Sequence, residues 1–231
     1  MDAMFANEEA ASSQAYPESY KLKGVTEQAN RLREIFPGIG YENVVLAERP
    51  VPEVAEGNFV IPRWETVAQT YNEAVSKVLV LVGSTRRLHN YREGQFGPKH
   101  LRQSARTTDM FQKLGNRQKG HDLLVIPAQF GLRHRGRSVR RAREKFVFVG
   151  NEFGLGAFAT GIMLLTHPAR FERFEDLYVD CAGDEYAPGA DGAFFGTPVW
   201  GIGDDGDLGF AADGLCNADP FHGSASAFLS E

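Results

Sequence analysis

Cysteine is nearly missing: Cys181 and Cys216 are the only two in 231 residues. Neither lies in a C-x-x-C or Cys/His spacing, so neither a zinc site nor a disulfide-stapled scaffold is expected. Two thiols suit a reducing compartment, with a single Cys181–Cys216 bridge left open. Long apolar runs are also absent. The longest uncharged stretch, Phe153–Ala169, is broken by Gly154, Gly156, Gly161, His167 and Pro168, so no membrane span is expected. The opening MDAMFANEEAASSQ has no basic start and no apolar core, which excludes a secretory signal. The expected location is the cytoplasm or a particle. No internal repeat is present.

Positive charge is missing from the end of the chain. All 25 Lys and Arg lie at or before Arg173, and 12 of the 30 acidic residues follow it. The net charge of −5 therefore divides into +7, from 25 bases against 18 acids, and −12. Such an end repels phosphate and anionic lipid, leaving cations, sugars, polar surfaces or a basic partner.

Within that end, Asp191–His222 contains no Lys, Arg, Glu, Gln or Met. Phe194, Phe195, Trp200, Phe210 and Phe221 alternate with turn formers such as Gly201, Gly203, Gly206, Gly209, Gly214 and Pro220. Neither a helical period nor a sustained strand alternation is present, so the segment reads as loops displaying apolar and acidic side chains.

The rest reads as scaffold. Residues 1–20 form a flexible leader, and 21–231 a single α+β domain with N-terminal helices on a loop-rich antiparallel β region. Helices are predicted over Val25–Phe36 with Thr26 as N-cap, over Glu65–Val82, and over Lys99–Leu114. Strands are predicted at Asn43–Ala47, Asp122–Pro127, Lys145–Val149 and Leu177–Cys181, with a closing strand in Gly223–Leu229. Pro50, Pro52 and Pro62 predict a loop or irregular edge. The stretch Phe153–Leu165 fits a strand pair or a glycine-loosened helix.

Several constellations invite chemistry. Gly201-Ile-Gly203-Asp-Asp-Gly206 matches G-x-G-x-x-G, but a phosphate would meet Asp204 and Asp205 and no helix follows. Asp204, Asp205, Asp207 and Asp213 offer oxygen ligands to calcium without the EF-hand spacing, so solvated loop carboxylates are the simpler reading. Asp180, Asp184 and Glu185 lie beside Cys181 without a partner base or nucleophile. Catalytic residues, a resident metal and a cofactor are therefore not expected. Arg133, Arg135, Arg137, Arg140, Arg141 and Arg143 form the strongest charge feature. They suit phosphate, which makes nucleic acid a possible partner, or they neutralise acids within the fold.

The position and composition of the last segment resemble the variable proteins of diversity-generating retroelements, over roughly 177–231. In that family an adenine-directed reverse transcriptase rewrites AAC-type codons, which cannot give Lys, Glu, Gln, Met or Trp. Only Trp200 breaks that pattern, and it would be scaffold. The end GSASAFL looks like the family's fixed terminal strand. The resemblance implies a C-type-lectin-like (formylglycine-generating-enzyme-like) fold and a ligand-binding protein, not an enzyme. Phe194, Phe195, Ile202, Phe210, Leu215 and Phe221 would give apolar contact to an unknown protein or surface ligand. Asp204, Asp205, Asp207, Asp213, Asn217, Asp219 and His222 would give polar contact.

Overall fold

A computed structural model describes residues 4–40, 51–189 and 191–229. The strand expected at 43–47 lies outside the described residues.

Helix α1 (Val25–Ile35) starts from Gly24 without a side-chain cap, so Thr26 sits in the first turn. It buries Ala29 and Leu32, and also Gln28, whose amide bonds the backbone of Lys23, Asn58 and Val60. Strand β1 (Gly57–Pro62) follows, with Pro62 at its end. The single helix expected next is two: α2 (Trp64–Val67) and α3 (Tyr71–Thr85). The chain extends at Ala68, and Thr70 caps the second helix by accepting from the Glu73 amide. Strand β2 (Leu88–Asn90) leads to β3 (Leu101–Gln103), where a helix start was expected. Ser104 then caps α4 (Ala105–Arg117).

Strand β4 (Leu123–Gln129) is buried throughout, as its apolar run predicts. The alternation of Lys145–Val149 misleads: these residues end helix α5 (Val139–Val149). Ser138 caps that helix, Gly150 closes it at φ +86°, and Val139, Ala142 and Phe146 form its buried stripe. Strand β5 (Glu152–Gly154) and helix α6 (Ala157–Thr166) resolve the ambiguous stretch. Every residue of α6 is buried, which makes it the central helix. Six strands complete the chain: β6 (Tyr178–Asp180), β7 (Asp184–Tyr186), β8 (Gly196–Ile202), β9 (Leu208–Gly214), β10 (His222–Ser224) and β11 (Ser226–Phe228).

The fold is α+β with two sheets. The first has the order β1-β4-β11-β5, with β1 on the edge that Pro62 tolerates. The second runs β10-β6-β8-β7-β3, and β9 joins β8 to β2. Most pairs are antiparallel, but β10 on β6 and β2 on β9 are parallel. The sheets are clasped where Gly154 meets Gly183. A Cβ on Gly183 would lie 2.5 Å from the Gly154 carbonyl oxygen, and one on Gly154 would lie 2.6 Å from the Gly183 nitrogen.

Residues 4–20 are not a loose leader. Glu9 bridges Arg137, the Ala10 amide donates to the Gly136 carbonyl, and Tyr16 bonds Glu56. The reason is charge: Glu8 and Glu9 find Arg137, Arg140 and Arg141 waiting on α5 and the turn before it.

Candidate functional site

The segment expected to be loops is built on a hairpin. Strands β8 and β9 pair along their whole length, from Gly196 with Gly214 to Ile202 with Leu208. Residues opposite one another share a face. Trp200 and Phe210 are opposite and point inward, as does Ile202. All three are at most 1% exposed, so Ile202 and Phe210 are core residues and cannot contact a ligand. Trp200 is scaffold: its Nε1 donates to Thr160 Oγ1 at 3.1 Å.

The G-x-G-x-x-G pattern is the hairpin turn. The Gly203 amide donates to the Asp207 carbonyl, Gly206 takes φ +80°, and Asp205 Oδ1 accepts from the Asp207 amide. No phosphate cradle results. Nor do the four aspartates converge, because Asp213 sits at the far end of β9. Asp205 and Asp207 instead meet His89, the three ligand atoms lying within 4.8 Å of one another. That trio has the donor set for a divalent cation, but Arg87 Nε already occupies Asp207 Oδ2 at 3.1 Å.

The remaining predicted residues divide between the two ends of the hairpin, roughly 20 Å apart for seven-residue strands. At the open end, Phe194 lies under the Arg102 guanidinium at 3.9 Å and Phe195 is 58% exposed. Leu215 packs on the α5 stripe, and Asn217 bonds Asp213. At the turn end stand Asp204, Asp205, Asp207, Asp219, Phe221 and His222. One continuous patch of all the predicted residues is therefore not formed.

The turn end is enlarged by residues the sequence reading missed. Gly201 faces Gly209 across the hairpin. The Tyr178 ring lies flat on Gly201, where a Cβ would come within 2.8–2.9 Å of three ring carbons. Tyr91 leans on Gly209 from the other side. Phe174 and Phe221 extend the Tyr178 wall, with Phe174 centred 6.3 Å from Tyr178 and 6.5 Å from Phe221. The result is an aromatic cluster in which Tyr178 and Tyr91 cover the two glycines. Burial raises the Tyr178 phenol above its usual pKa, and the Asp219 and Asp204 carboxylates add to the rise.

His222 closes the wall from β10. Burial opposes its charge, but Asp180, bonded at 2.8 Å, acts with Asp219 and Asp213 to outweigh burial and lift the imidazolium to about 9. Because this pKa is raised on folding, the pair's stabilisation is full below the unfolded value near 6.5 and fades as pH rises through 9. Asp180→Asn should therefore lower the urea midpoint at pH 6 by far more than at pH 10. An equal loss at both pH values would refute the pairing.

The other carboxylates beside Cys181 do not gather into a site. Asp184 is fully buried, accepts from the Tyr71 hydroxyl and caps α6 through the Ala157 amide at 2.7 Å. Burial lifts it to about 7. Glu185 pairs with Arg102 on the surface. Cys181 is buried and Cys216 exposed, both as free thiols.

The arginine block is largely consumed within the fold. Arg133 bonds Glu152, Arg137 and Arg141 meet Glu9, and Arg140 meets Glu8. Arg143 donates to the Ala182 and Asp184 carbonyls, and Arg135 to the Gln14 carbonyl. Their acids come mainly from the N-terminal residues and β5, rather than from the acidic end of the chain.

Among the described residues, no helix is long and apolar enough to cross a membrane. No family model, no curated protein and no solved structure matches the chain.

Proposed function

We propose that this protein is a binding module whose β8–β9 hairpin and adjoining loops display recognition side chains to a protein or surface ligand. The observation that carries the reading is the split character of the hairpin. Its inner face (Trp200, Ile202, Phe210) is sealed against the core, whereas Asp204, Asp205 and Phe195 are exposed at its ends. A backbone held by strand pairing lets the exposed side chains at its ends change without moving the frame, and rigid aromatic contacts bind at low entropic cost. The same split suits a retroelement-diversified segment, in which variable codons would fall on exposed positions and Trp200 would stay fixed. The nucleic-acid reading draws less support, since Glu8, Glu9 and Glu152 already engage four of the six arginines.

The display reading has a direct test. A variant carrying Phe194→Ser, Phe195→Ser, Asp204→Asn, Asp205→Asn, Asp219→Asn and Phe221→Ser should keep its melting temperature within about 5 °C of the parent, as surface substitutions do. Unfolding of that variant at room temperature would overturn the reading. Sequencing the flanking DNA tests the diversification itself. A near-copy of codons 191–222 beside a reverse transcriptase gene, differing at adenines, is expected; its absence refutes that part.

A further inference from the structure

Away from the hairpin, a cleft of about 210 Å³ opens between α2 and α4, and no residue of 191–222 lines it. We propose that this cleft binds a neutral heteroaromatic ring whose edge both donates and accepts hydrogen bonds: a nucleobase, taken as the free base or the nucleoside. The site goes beyond the display reading and does not depend on it.

The floor of the cleft is apolar: Ile61 of β1, Leu124 of β4 and Phe158 of α6 are buried there. Two half-buried rings join them, Trp64 from α2 and Phe111 from α4. Each is held by an edge contact, Trp64 with Tyr71 at 6.1 Å and Phe111 with Phe153 at 5.4 Å between ring centres. Three carboxamides also line the space. Gln112 and Asn116 are four residues apart on α4, which sets them side by side, and Gln103 ends β3. Arg63 braces the frame. Its Nε donates to the His121 carbonyl at 2.7 Å, and its Nη2 to the Gly115 and Gln118 carbonyls at 2.6 Å and 3.1 Å. These bonds tie the residue before α2 to the end of α4, so the cleft is formed before a ligand arrives.

Four neutral polar groups are left over at this place. Among the described residues, the side chains of Gln103, Gln112 and Asn116 and the Trp64 indole N–H make no hydrogen bond within the protein. Such groups around an apolar floor suit a ligand with apolar faces and a polar edge. A carboxamide offers a donor and an acceptor together, the pair with which Asn and Gln read a base edge. A space of roughly 150 Å³ admits one benzene ring, so this cleft has room for one or two fused rings. Other ligand classes fit worse. A sugar has hydroxyls around its whole ring and would strand some of them on Ile61, Leu124 and Phe158. A phosphate would meet Glu65, which also lines the cleft, and would find Arg63 spent on three carbonyls.

The chain has two tryptophans, and amide NMR of the full chain reads both indole N–H groups. Trp200 is sealed in the core and serves as the reference, Trp64 is the reporter, and Trp64→Phe assigns the peaks. At least one of adenine, hypoxanthine and uracil should shift the Trp64 peak saturably. Indole, a two-ring control without the base edge, should bind about tenfold more weakly or worse, the worth of one or two hydrogen bonds. Gln112→Ala with Asn116→Ala, both exposed on α4, should weaken the base by about tenfold and leave indole unchanged. The nucleoside should bind at least as well as its monophosphate. No saturable shift by any base, indole equal to the best base, saturable glucose without a base, a monophosphate preferred to its nucleoside, or a base affinity unmoved by the double substitution would each overturn the proposal. The display reading is tested on other residues, so either can fail without the other.

Discussion

Replacing Glu152 by Ala should cost about 3–5 kcal/mol of stability, the usual result of removing one partner from a buried charged pair. Glu152 is fully buried at the start of β5. It accepts from His134 Nε2 at 2.7 Å, Ser226 Oγ at 2.6 Å and Arg133 Nε at 3.2 Å. Arg137 donates to His134 Nδ1, which fixes that ring as the neutral tautomer with its proton on Nε2. Removing the carboxylate strands three donors, Arg133 and His134 from one short turn and Ser226 from β11. Burial opposes the charge of Glu152, but the bonds from His134 and Ser226 hold its pKa below the usual carboxylate value. Burial also depresses His134. Both groups are therefore lowered on folding, so their stabilisation is complete above the unfolded values and is lost on acidification. The loss begins near pH 6.5 for the histidine and near 4.5 for the glutamate. Urea melts at pH 7.5 and pH 4 check both points: Glu152→Ala should lower the midpoint at pH 7.5 and flatten the acid dependence. A variant with the parent's midpoint and acid slope would refute the role.

Trp200→Ala should also cost about 3–5 kcal/mol, the range for truncating a large buried aromatic. The indole is fully buried, its ring centre is 4.4 Å from that of Phe210, and its edge abuts Gly161 in α6. It is the main link between the hairpin and the central helix. Trp200→Phe keeps most of the volume and loses the hydrogen bond to Thr160, so about 1–2 kcal/mol is expected. Chemical denaturation of the two variants should rank them in that order. A Trp200→Ala protein as stable as the parent would mean that the hairpin is not anchored from below.

Much of the scaffold was legible because its signals are local. The spacing of Val75, Val78, Leu79 and Val82 marks α3, and the apolar run Leu123–Ile126 marks β4. The KFVFV alternation failed because Ser138, seven residues upstream of Lys145, starts a helix that runs through it. The hairpin was hidden for a different reason. Strand β8 is buried at every residue, so no alternation is visible, and its glycines resemble turn formers. Gly201 and Gly209 in fact clear space for tyrosines far away in sequence. Nothing local reveals that Tyr178 will lie on Gly201 or that β2 will bring His89 and Tyr91 beside β9. The carboxylates of the site were readable from composition, whereas its aromatic walls depend on long-range pairing.

The place of β11 has a consequence for how altered versions of this gene would fare. That strand sits between β4 and β5, inside the first sheet, and is translated after the whole hairpin segment. A nonsense or frameshift lesion anywhere in codons 191–222 would delete it and leave two strands with unmatched edges. Such products expose apolar surface and are open to proteolysis. A truncated copy thus loses a strand on which the first sheet depends, whereas an in-frame change at an exposed position such as Asp204 leaves that strand in place.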